Sequence, residues 1–261
     1  MYEESVNIDP SYIKKIYRSI RLKEILSVIL ILTITVLFFT WPLVLHLDED
    51  IPTGSEQSTV ALHQFFGAEW TGRFLDGSVS YWDSPYFYPY KGTFAWRELQ
   101  PFSMLLIWLI SKFCGYILAY NVVTLTFIIL FGLAGYMLCR LLIRDRAASL
   151  WCAVWLSGGA YSIHQLCCLP FIAAGFPSGC ILFIFLFAKE KKFVFLRVAL
   201  LLYILTWLTC EQFGLFLTIL LPVILIPFLS FKKFCGFDNT SSCTNHVVYY
   251  NQISVFYLID F

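Results

Sequence analysis

The chain contains 261 residues, of which 59% are hydrophobic and 13% are charged, and its mean hydropathy is +0.74. This composition supplies too little polar surface for a water-soluble globule, so it excludes a soluble domain and indicates a polytopic protein of the lipid bilayer. The formal net charge of +1 is accompanied by no basic run or face, which excludes nucleic acid as a partner. The nine cysteines include no CxxC spacing, so we expect inert thiols rather than a zinc site.

The first hydrophobic segment comprises residues 25–45 and carries no charge. It is long enough for a membrane-spanning helix, which needs about 20 residues. Basic residues precede this segment and acidic residues follow it. Because basic residues favour the cytosolic side, the pattern predicts a cytosolic segment at residues 1–24 and an external position for residue 48. The segment is too long for the apolar core of a cleaved signal peptide.

An acidic external loop is predicted at residues 46–118. Between Val60 and Phe74, apolar residues recur mostly every three or four positions, which predicts an amphipathic helix that stops at Asp76-Gly77. Residues 102–117 are apolar but contain Lys112 and Gly115, and they predict a second interfacial or re-entrant helix. We expect both helices to lie along the outer membrane surface.

Five further spans are predicted at residues 119–143, 147–160, 170–188, 194–209 and 213–231. With these spans, arginines and lysines lie at the cytosolic turns. An additional crossing at residues 102–117 would instead place Arg140, Arg144 and Arg146 outside. The fold class is therefore predicted to be all-α, with about six transmembrane helices in residues 25–231 and two interfacial helices in the first external loop. The polar tail at residues 232–261 contains no span, and we expect a truncated or frame-shifted product.

Three polar residues on the predicted external side are candidates for a functional site. Glu56 follows the first span, and a carboxylate near this low-dielectric boundary is expected to have a raised pKa suited to a general base; an ordinary helix N-terminal charge is the alternative. His164 and Glu211 interrupt apolar runs, where ionisable residues are often functional, although a hydrogen-bonded histidine is equally consistent with the pattern. The acidic residues 48–50 are more typical of a solvated flank than of a cation site.

The order and spacing of four segments, covering about residues 36–215, resemble the GT-C superfamily of polytopic glycosyltransferases, which use polyprenyl-phosphate sugars. These segments are "PTGSEQSTVALHQFFGAEW", "SPYFYPYKGTFAWRELQPFSMLL", "AYNVVTLTFIILFGLAGYMLCRLL" and "AASLWCAVWLSGGAYSIHQLCCLP". In that family the early loop acid is usually aspartate, and Glu56 stands at the matching position. The His-containing turn of the family matches "YSIHQL", which implies a substrate or phosphate contact for His164.

The resemblance implies transfer of a sugar from a polyprenyl-phosphate donor to an acceptor hydroxyl outside the cytosol, with Glu56 as the base. Arg73, Lys91 and Arg97, or a divalent cation, would neutralise the donor phosphate, although ordinary lipid-headgroup contacts explain each of the three cations as well. The aromatic residues of the loop would lie at headgroup level or stack on sugars. A transporter or lipid flippase is the main alternative, and a non-catalytic assembly subunit is a further one.

Overall fold

The computed structural model describes residues 22–53, 58–96, 98 and 100–234, and every regular element in them is helical. Ten α-helices follow one another in chain order: α1 (Leu22–Phe39), α2 (Ser58–Leu75), α3 (Pro101–Cys114), α4 (Tyr116–Leu142), α5 (Arg146–Gly158), α6 (Ala160–His164), α7 (Leu169–Ile172), α8 (Gly175–Glu190), α9 (Phe193–Thr209) and α10 (Glu211–Phe234). The predicted all-α fold is confirmed for these residues. Residues 26–217 form one compact unit, and the other unit comprises residues 1–25 and 218–261.

Three helical segments in the described part of the chain are long and apolar enough to cross a membrane: Leu22–Phe39, Tyr116–Leu142 and Leu169–Glu190. The apolar helices α3 and α9, and residues Glu211–Ile226 of α10, are shorter. The length and composition of these helices are consistent with a membrane protein. The count of six spans is not confirmed and stays a prediction.

Helix α1 has one face buried against neighbouring helices and another face that is apolar but exposed. Leu32 and Val36, one turn apart, are fully buried against neighbouring helices, whereas Leu30 is 61% exposed and Phe38 is 72% exposed. A helix in water would carry polar residues on its exposed face, but this helix is hydrophobic on every side, as membrane helices are. The exposed stripe is therefore a surface for lipid tails.

Helices α1, α4 and α5 lie close together around Gly132. A Cβ atom at this position would lie 1.9 Å from Ser157 Oγ and 3.0 Å from the Ala153 carbonyl oxygen of α5. Only small residues permit such proximity, and membrane helices use them because dispersion contacts replace the hydrophobic effect as the driving force. Ser157 Oγ also donates a hydrogen bond to the Ile128 carbonyl oxygen, at 3.4 Å.

Helix α8 packs against α4 and forms an antiparallel hairpin with α9. At its first residue, a Cβ on Gly175 would lie 2.9 Å from backbone atoms of Leu130 and Phe131 in α4. The rings of Phe187 and Phe193 lie 5.9 Å apart on either side of the hairpin turn. Helix α4 is thus the central helix of the unit, since α1, α5 and α8 are all placed by contact with it.

Helices α2 and α3 run parallel to each other. Gln100 Nε2 donates to Gln64 Oε1 at 2.7 Å near the start of α3, and Lys112 Nζ donates to Asp76 Oδ1 at 2.6 Å near its end. Both pairs are 36 residues apart in sequence, and equal spacing at the two ends requires parallel helices in register. The long loop between them therefore returns along their full length.

The predicted end of α2 agrees with the structure, whereas α3 ends three residues earlier than predicted. Helix α2 stops at Leu75, and Gly77 takes a positive φ of 73° as the chain turns away. The expected second helix at residues 102–117 is α3, which ends at Cys114; Gly115, with a φ of 81°, separates it from α4. That left-handed conformation is open to glycine at little cost, so the chain reverses here into the antiparallel helix α4.

Candidate functional site

An open cleft of about 700 Å³ lies where the chain leaves α1. One wall consists of the end of α1 and the turn after it, residues 39–43. A second wall is the loop at residues 50–53, and the third is formed by Ile163, His164, Leu166 and Cys167, at the end of α6 and in the turn that follows it. Segments more than 100 residues apart in sequence therefore form one concave surface.

The first wall of the cleft is apolar and continuous with a membrane helix. Phe39, Trp41, Pro42 and Leu43 line it, and the Trp41 side chain is 63% exposed. Thr40 is the polar residue of this wall, but its hydroxyl donates to the Val36 carbonyl oxygen of its own helix, at 2.8 Å. This side of the cleft therefore suits the apolar part of a ligand.

The second and third walls of the cleft carry one carboxylate and one imidazole. The Asp50 and His164 side chains both line the cleft, and both residues are exposed. A carboxylate and an imidazole at one opening can bind hydroxyl or phosphate groups and transfer protons. The cleft is therefore amphiphilic, with one apolar wall and two walls that carry polar side chains.

The loop that carries Asp50 is held in place by Asn121 of α4. Asn121 is buried, and its Nδ2 donates to the carbonyl oxygens of Leu47, at 2.8 Å, and Asp50, at 2.6 Å. Both hydrogens of the amide are used, so the side chain fixes the two ends of one loop turn. Asn121 thereby determines the position of the second wall.

The thiols beside the cleft are protonated at neutral pH. Burial raises the pKa of Cys167, which lines the cleft. Burial, followed by the charge of Glu98, raises the pKa of the neighbouring Cys168 to about 12. Because the thiolate is the reactive form, neither cysteine is suited to be a nucleophile. None of the seven cysteines among the described residues forms a disulfide bond.

A second polar contact joins the loop before α3 to the first turn of α10. Gln212 Nε2 donates to Glu98 Oε1 at 2.8 Å, across 114 residues of sequence. The sequence analysis had selected the adjacent residue Glu211, which is exposed and does not line the cleft. Gln212, rather than the adjacent Glu211, therefore makes the long-range contact.

Two of the three cations predicted to bind the donor phosphate, Arg73 and Lys91, do not line the cleft. Arg73 Nη2 lies 2.5 Å from Glu69 Oε1, one turn away on α2, and Lys91 is exposed in the loop. Glu56 and Arg97 lie outside the described residues, so their predicted roles stay predictions. Thr53, three residues before Glu56 in the sequence, is part of the second wall.

The aromatic loop divides into a packed part and an exposed part. Tyr81 contacts Phe74 of α2, with ring centroids 5.0 Å apart, and its carbonyl oxygen accepts a hydrogen bond from Trp70 Nε1 at 3.0 Å. Tyr88 and Tyr90, by contrast, are 86% and 75% exposed. Part of the aromatic sequence therefore folds the loop onto α2, which the composition did not predict.

No three His, Cys, Asp or Glu side chains in the described ranges lie close enough together to hold a metal ion. A divalent cation remains a prediction from the resemblance, and no step below uses one. Comparison of the chain with protein-family models, with curated proteins and with solved structures gives no match. The site therefore has to be interpreted from its own geometry.

Sequence reasoning missed three residues that shape this region. Asp50 was read as part of a solvated acidic flank, because its neighbours Asp48 and Glu49 make it look ordinary. Asn121 is one polar residue in a long apolar helix, and its mid-helix position was the available indication. Gln212 interrupts the same apolar run as Glu211, but only Glu211 was selected as a site residue.

Proposed function

We propose that the protein is a membrane glycosyltransferase-like enzyme that transfers a sugar from a polyprenyl-phosphate donor to an acceptor hydroxyl on the extracytoplasmic side. The observation that supports this proposal is the amphiphilic cleft of about 700 Å³ at the end of α1. Its first wall is apolar and continues a membrane helix, and its second and third walls carry Asp50 and His164. A ligand with a lipid chain and a polar head fits these walls at once.

The roles follow from the chemistry of the transfer. The acceptor oxygen forms a bond to the anomeric carbon of the sugar, the bond from that carbon to the phosphate oxygen breaks, and polyprenyl phosphate leaves with the bonding electrons. Glu56 accepts the proton of the acceptor hydroxyl, and His164 donates a hydrogen bond to the phosphate. The loop that contains Thr53 leads directly to Glu56, which is consistent with this division of roles.

The proposal includes a topology of six spans with a cytosolic N-terminus. Its support is the placement of basic residues: Arg140 and Arg144 at the turn after α4, and Lys189, Lys191 and Lys192 at the turn after α8. Under the positive-inside rule these two turns are cytosolic. The cleft, Glu98 and Gln212 then belong to the external side.

The test is transfer of radiolabelled sugar by the full chain in lipid nanodiscs. Polyprenyl-phosphate mannose, glucose and galactose serve as donors, and octyl glucoside is the acceptor. We expect labelled product with the wild-type chain and a rate at least about 100-fold lower with Glu56→Gln, the range expected for loss of a general base. The matched control is Glu49→Gln, which removes an exposed carboxylate from the same loop and should keep the wild-type rate.

Two results would contradict the proposal. If no donor gives labelled product, the proposed sugar transfer is wrong. Equal transfer rates for Glu56→Gln and Glu49→Gln would show that Glu56 is not the general base. Labelling of a cysteine introduced at position 56 by an impermeant reagent, applied to intact cells, provides the topological check.

A further inference from the structure

The exposed part of the aromatic loop is a short turn at residues 87–90, called here the aromatic tip. Phe87 is 63% exposed, Tyr88 is 86% exposed and Tyr90 is 75% exposed. Single exposed apolar residues are ordinary, but a cluster of them marks a surface that contacts lipid or another protein. The aromatic tip does not line the cleft, so it is a separate candidate for a contact surface.

Hydrogen bonds at its base hold the aromatic tip in place. The Thr93 hydroxyl donates to the Tyr86 carbonyl oxygen at 2.6 Å, and the Gly92 backbone N–H donates to Asp83 Oδ1 at 3.1 Å. Each bond joins a residue before the tip to a residue after it. The two sides of the loop are therefore tied together, and the rings project from a turn of defined shape.

The aromatic tip lies close to a membrane helix. Tyr86, the residue before the tip, packs on Phe66 of α2, with ring centroids 4.7 Å apart. The adjacent residue Phe65 packs on Tyr120 of α4, with ring centroids 5.8 Å apart. Helix α2 therefore stands between the tip and α4, and a helix with its side chains is about 10 Å across.

The contact with α4 is near the end of that helix. Helix α4 has 27 residues, and it is long and apolar enough to cross a membrane. It is about 40 Å long, whereas the hydrocarbon core of a bilayer is about 30 Å thick, so about 5 Å at each end of a centred helix lies among the headgroups. Tyr120 is about 6 Å along the axis from Tyr116, the first residue of α4. The tip is therefore carried close to the level where headgroups meet the hydrocarbon core.

We propose that the aromatic tip anchors the external loop to the membrane, and that Phe87, Tyr88 and Tyr90 enter the headgroup region of the bilayer around α4. A tyrosine combines an apolar ring with a polar hydroxyl, which favours the boundary between water and lipid. Lys91 directly follows the tip and is exposed, and an ammonium group at this level can bind a lipid phosphate. This inference does not depend on sugar transfer.

Stacking on sugars is the other use of exposed rings, and the geometry favours lipid. Sites for small ligands are concave and surround the ligand with a few polar groups. A ring that is 86% exposed, as that of Tyr88 is, has few protein atoms around it. A bilayer supplies its own surroundings and needs no enclosure by the protein.

The first experiment detects lipid contact directly. The photo-crosslinking residue p-benzoylphenylalanine replaces Tyr88 or, as the control, Ser80, which is exposed in the same loop but lies outside the tip. The full chain is irradiated in nanodiscs of phosphatidylcholine and phosphatidylglycerol, with methyl glucoside in solution, and adducts are identified by mass spectrometry. We expect the yield of lipid adduct to be at least about fivefold higher at position 88, because only the tip enters the headgroup region.

Three results of this experiment would overturn the proposal. Equal lipid yields at positions 88 and 80 would show that the tip has no special contact with the bilayer. Adducts with methyl glucoside in place of lipid would show that the rings bind sugars. Crosslinks to a second copy of the chain in place of lipid would show that the tip is a protein interface.

The second experiment needs no photo-crosslinking residue. Trypsin cleaves after Lys91, and a tip held in the headgroup region should shield this bond in nanodiscs. We expect Tyr88→Ser combined with Tyr90→Ser to be cut about tenfold faster than the wild type, because cleavage follows the population of the released tip. Tyr88→Trp combined with Tyr90→Trp is the matched control and should be cut at the wild-type rate, since tryptophan also favours the headgroup region.

Both tyrosine rings are mostly exposed, so neither double variant should change the melting curve recorded by circular dichroism. Equal cleavage rates for the serine variant and the wild type would overturn the proposal. Cleavage of the tryptophan variant as fast as the serine variant would also overturn it, because a contact specific to tyrosine, and not the bilayer, would then hold the tip.

Discussion

Two regions of the unit at residues 26–217 are stabilised in different ways. Helices α1, α5 and α8 pack on α4 through small residues, and close approaches occur at Gly132 and Gly175. The pair α2–α3 and its loop are held instead by polar side chains, at Gln64–Gln100 and Asp76–Lys112. We infer that the first region is adapted to lipid, where water cannot strengthen apolar contacts, and the second to the water boundary.

The difference predicts how each region responds to change. Close packing tolerates no added atom, because the backbone of two helices has no room to move. Hydrogen bonds and ion pairs near water tolerate substitution better, because water molecules replace part of the lost hydrogen bonding. The following predictions test this comparison, starting with the largest expected effect.

The largest effect is expected for Gly175→Ala. The added Cβ would lie 2.9 Å from backbone atoms of Leu130 and Phe131, so the two helices must separate. We expect a loss of about 3 kcal/mol in the free energy of unfolding, although alanine favours a helix more than glycine does. Unfolding by SDS in mixed micelles, followed by circular dichroism, measures this loss.

Gly179→Ala is the matched control, one turn further along α8. Its Cβ would meet only Leu202 Cδ1, at 3.1 Å, and a side-chain methyl group can move aside. We expect a change of less than about 1 kcal/mol. Similar losses for the two variants would contradict the view that backbone contact limits this packing.

An intermediate effect is expected for Asn121→Asp, where the two regions meet. An aspartate oxygen in place of Nδ2 would face the carbonyl oxygens of Leu47 and Asp50 without a hydrogen to share. We expect a loss of about 2 kcal/mol, together with a cleft loop that is cut faster by proteases. Limited proteolysis and SDS unfolding measure the two effects.

The control for Asn121→Asp is Thr126→Ala, in the same helix. The Thr126 hydroxyl is exposed and donates to the Val122 carbonyl oxygen of its own helix, at 2.6 Å. Its removal should change the free energy of unfolding by less than about 0.5 kcal/mol. Unchanged proteolysis of the loop in Asn121→Asp would mean that Asn121 does not fix the second wall of the cleft.

The smallest effect is expected for Asp76→Asn, at the end of the α2–α3 pair. Hydrogen bonds from Lys112 Nζ and Trp108 Nε1 lower the pKa of Asp76 below its ordinary value. A carboxyl group whose pKa is lowered by folding stabilises the protein above its unfolded-state pKa, and this contribution is lost as the pH falls through the folded-state pKa. The variant should therefore melt slightly below the wild type above about pH 5.

Two further conditions sharpen this prediction. At pH values below the lowered pKa the two proteins should melt at the same temperature, because the wild-type carboxyl group is then protonated. Added salt should reduce the difference at neutral pH, since the pair is exposed and therefore screened. A difference that is the same at every pH would show that the charge of Asp76 does not stabilise the α2–α3 pair.

The sequence determined those features of the protein that depend on neighbouring residues. Hydrophobic runs specify the membrane helices, the three-to-four spacing specifies α2, and the Asp76-Gly77 stop specifies its end. Local pattern is sufficient here because a helix is formed by hydrogen bonds within one segment. Charge position also gave the predicted topology and the choice of His164.

The tertiary structure alone decided which distant residues meet. The parallel register of α2 and α3, the Asn121 contacts with residues 47 and 50, and the Glu98–Gln212 bond join residues between 36 and 114 positions apart. Such contacts leave no periodic pattern in the sequence, because each depends on how whole helices pack. For the same reason the cleft at Asp50 and His164 became visible only when the walls were brought together.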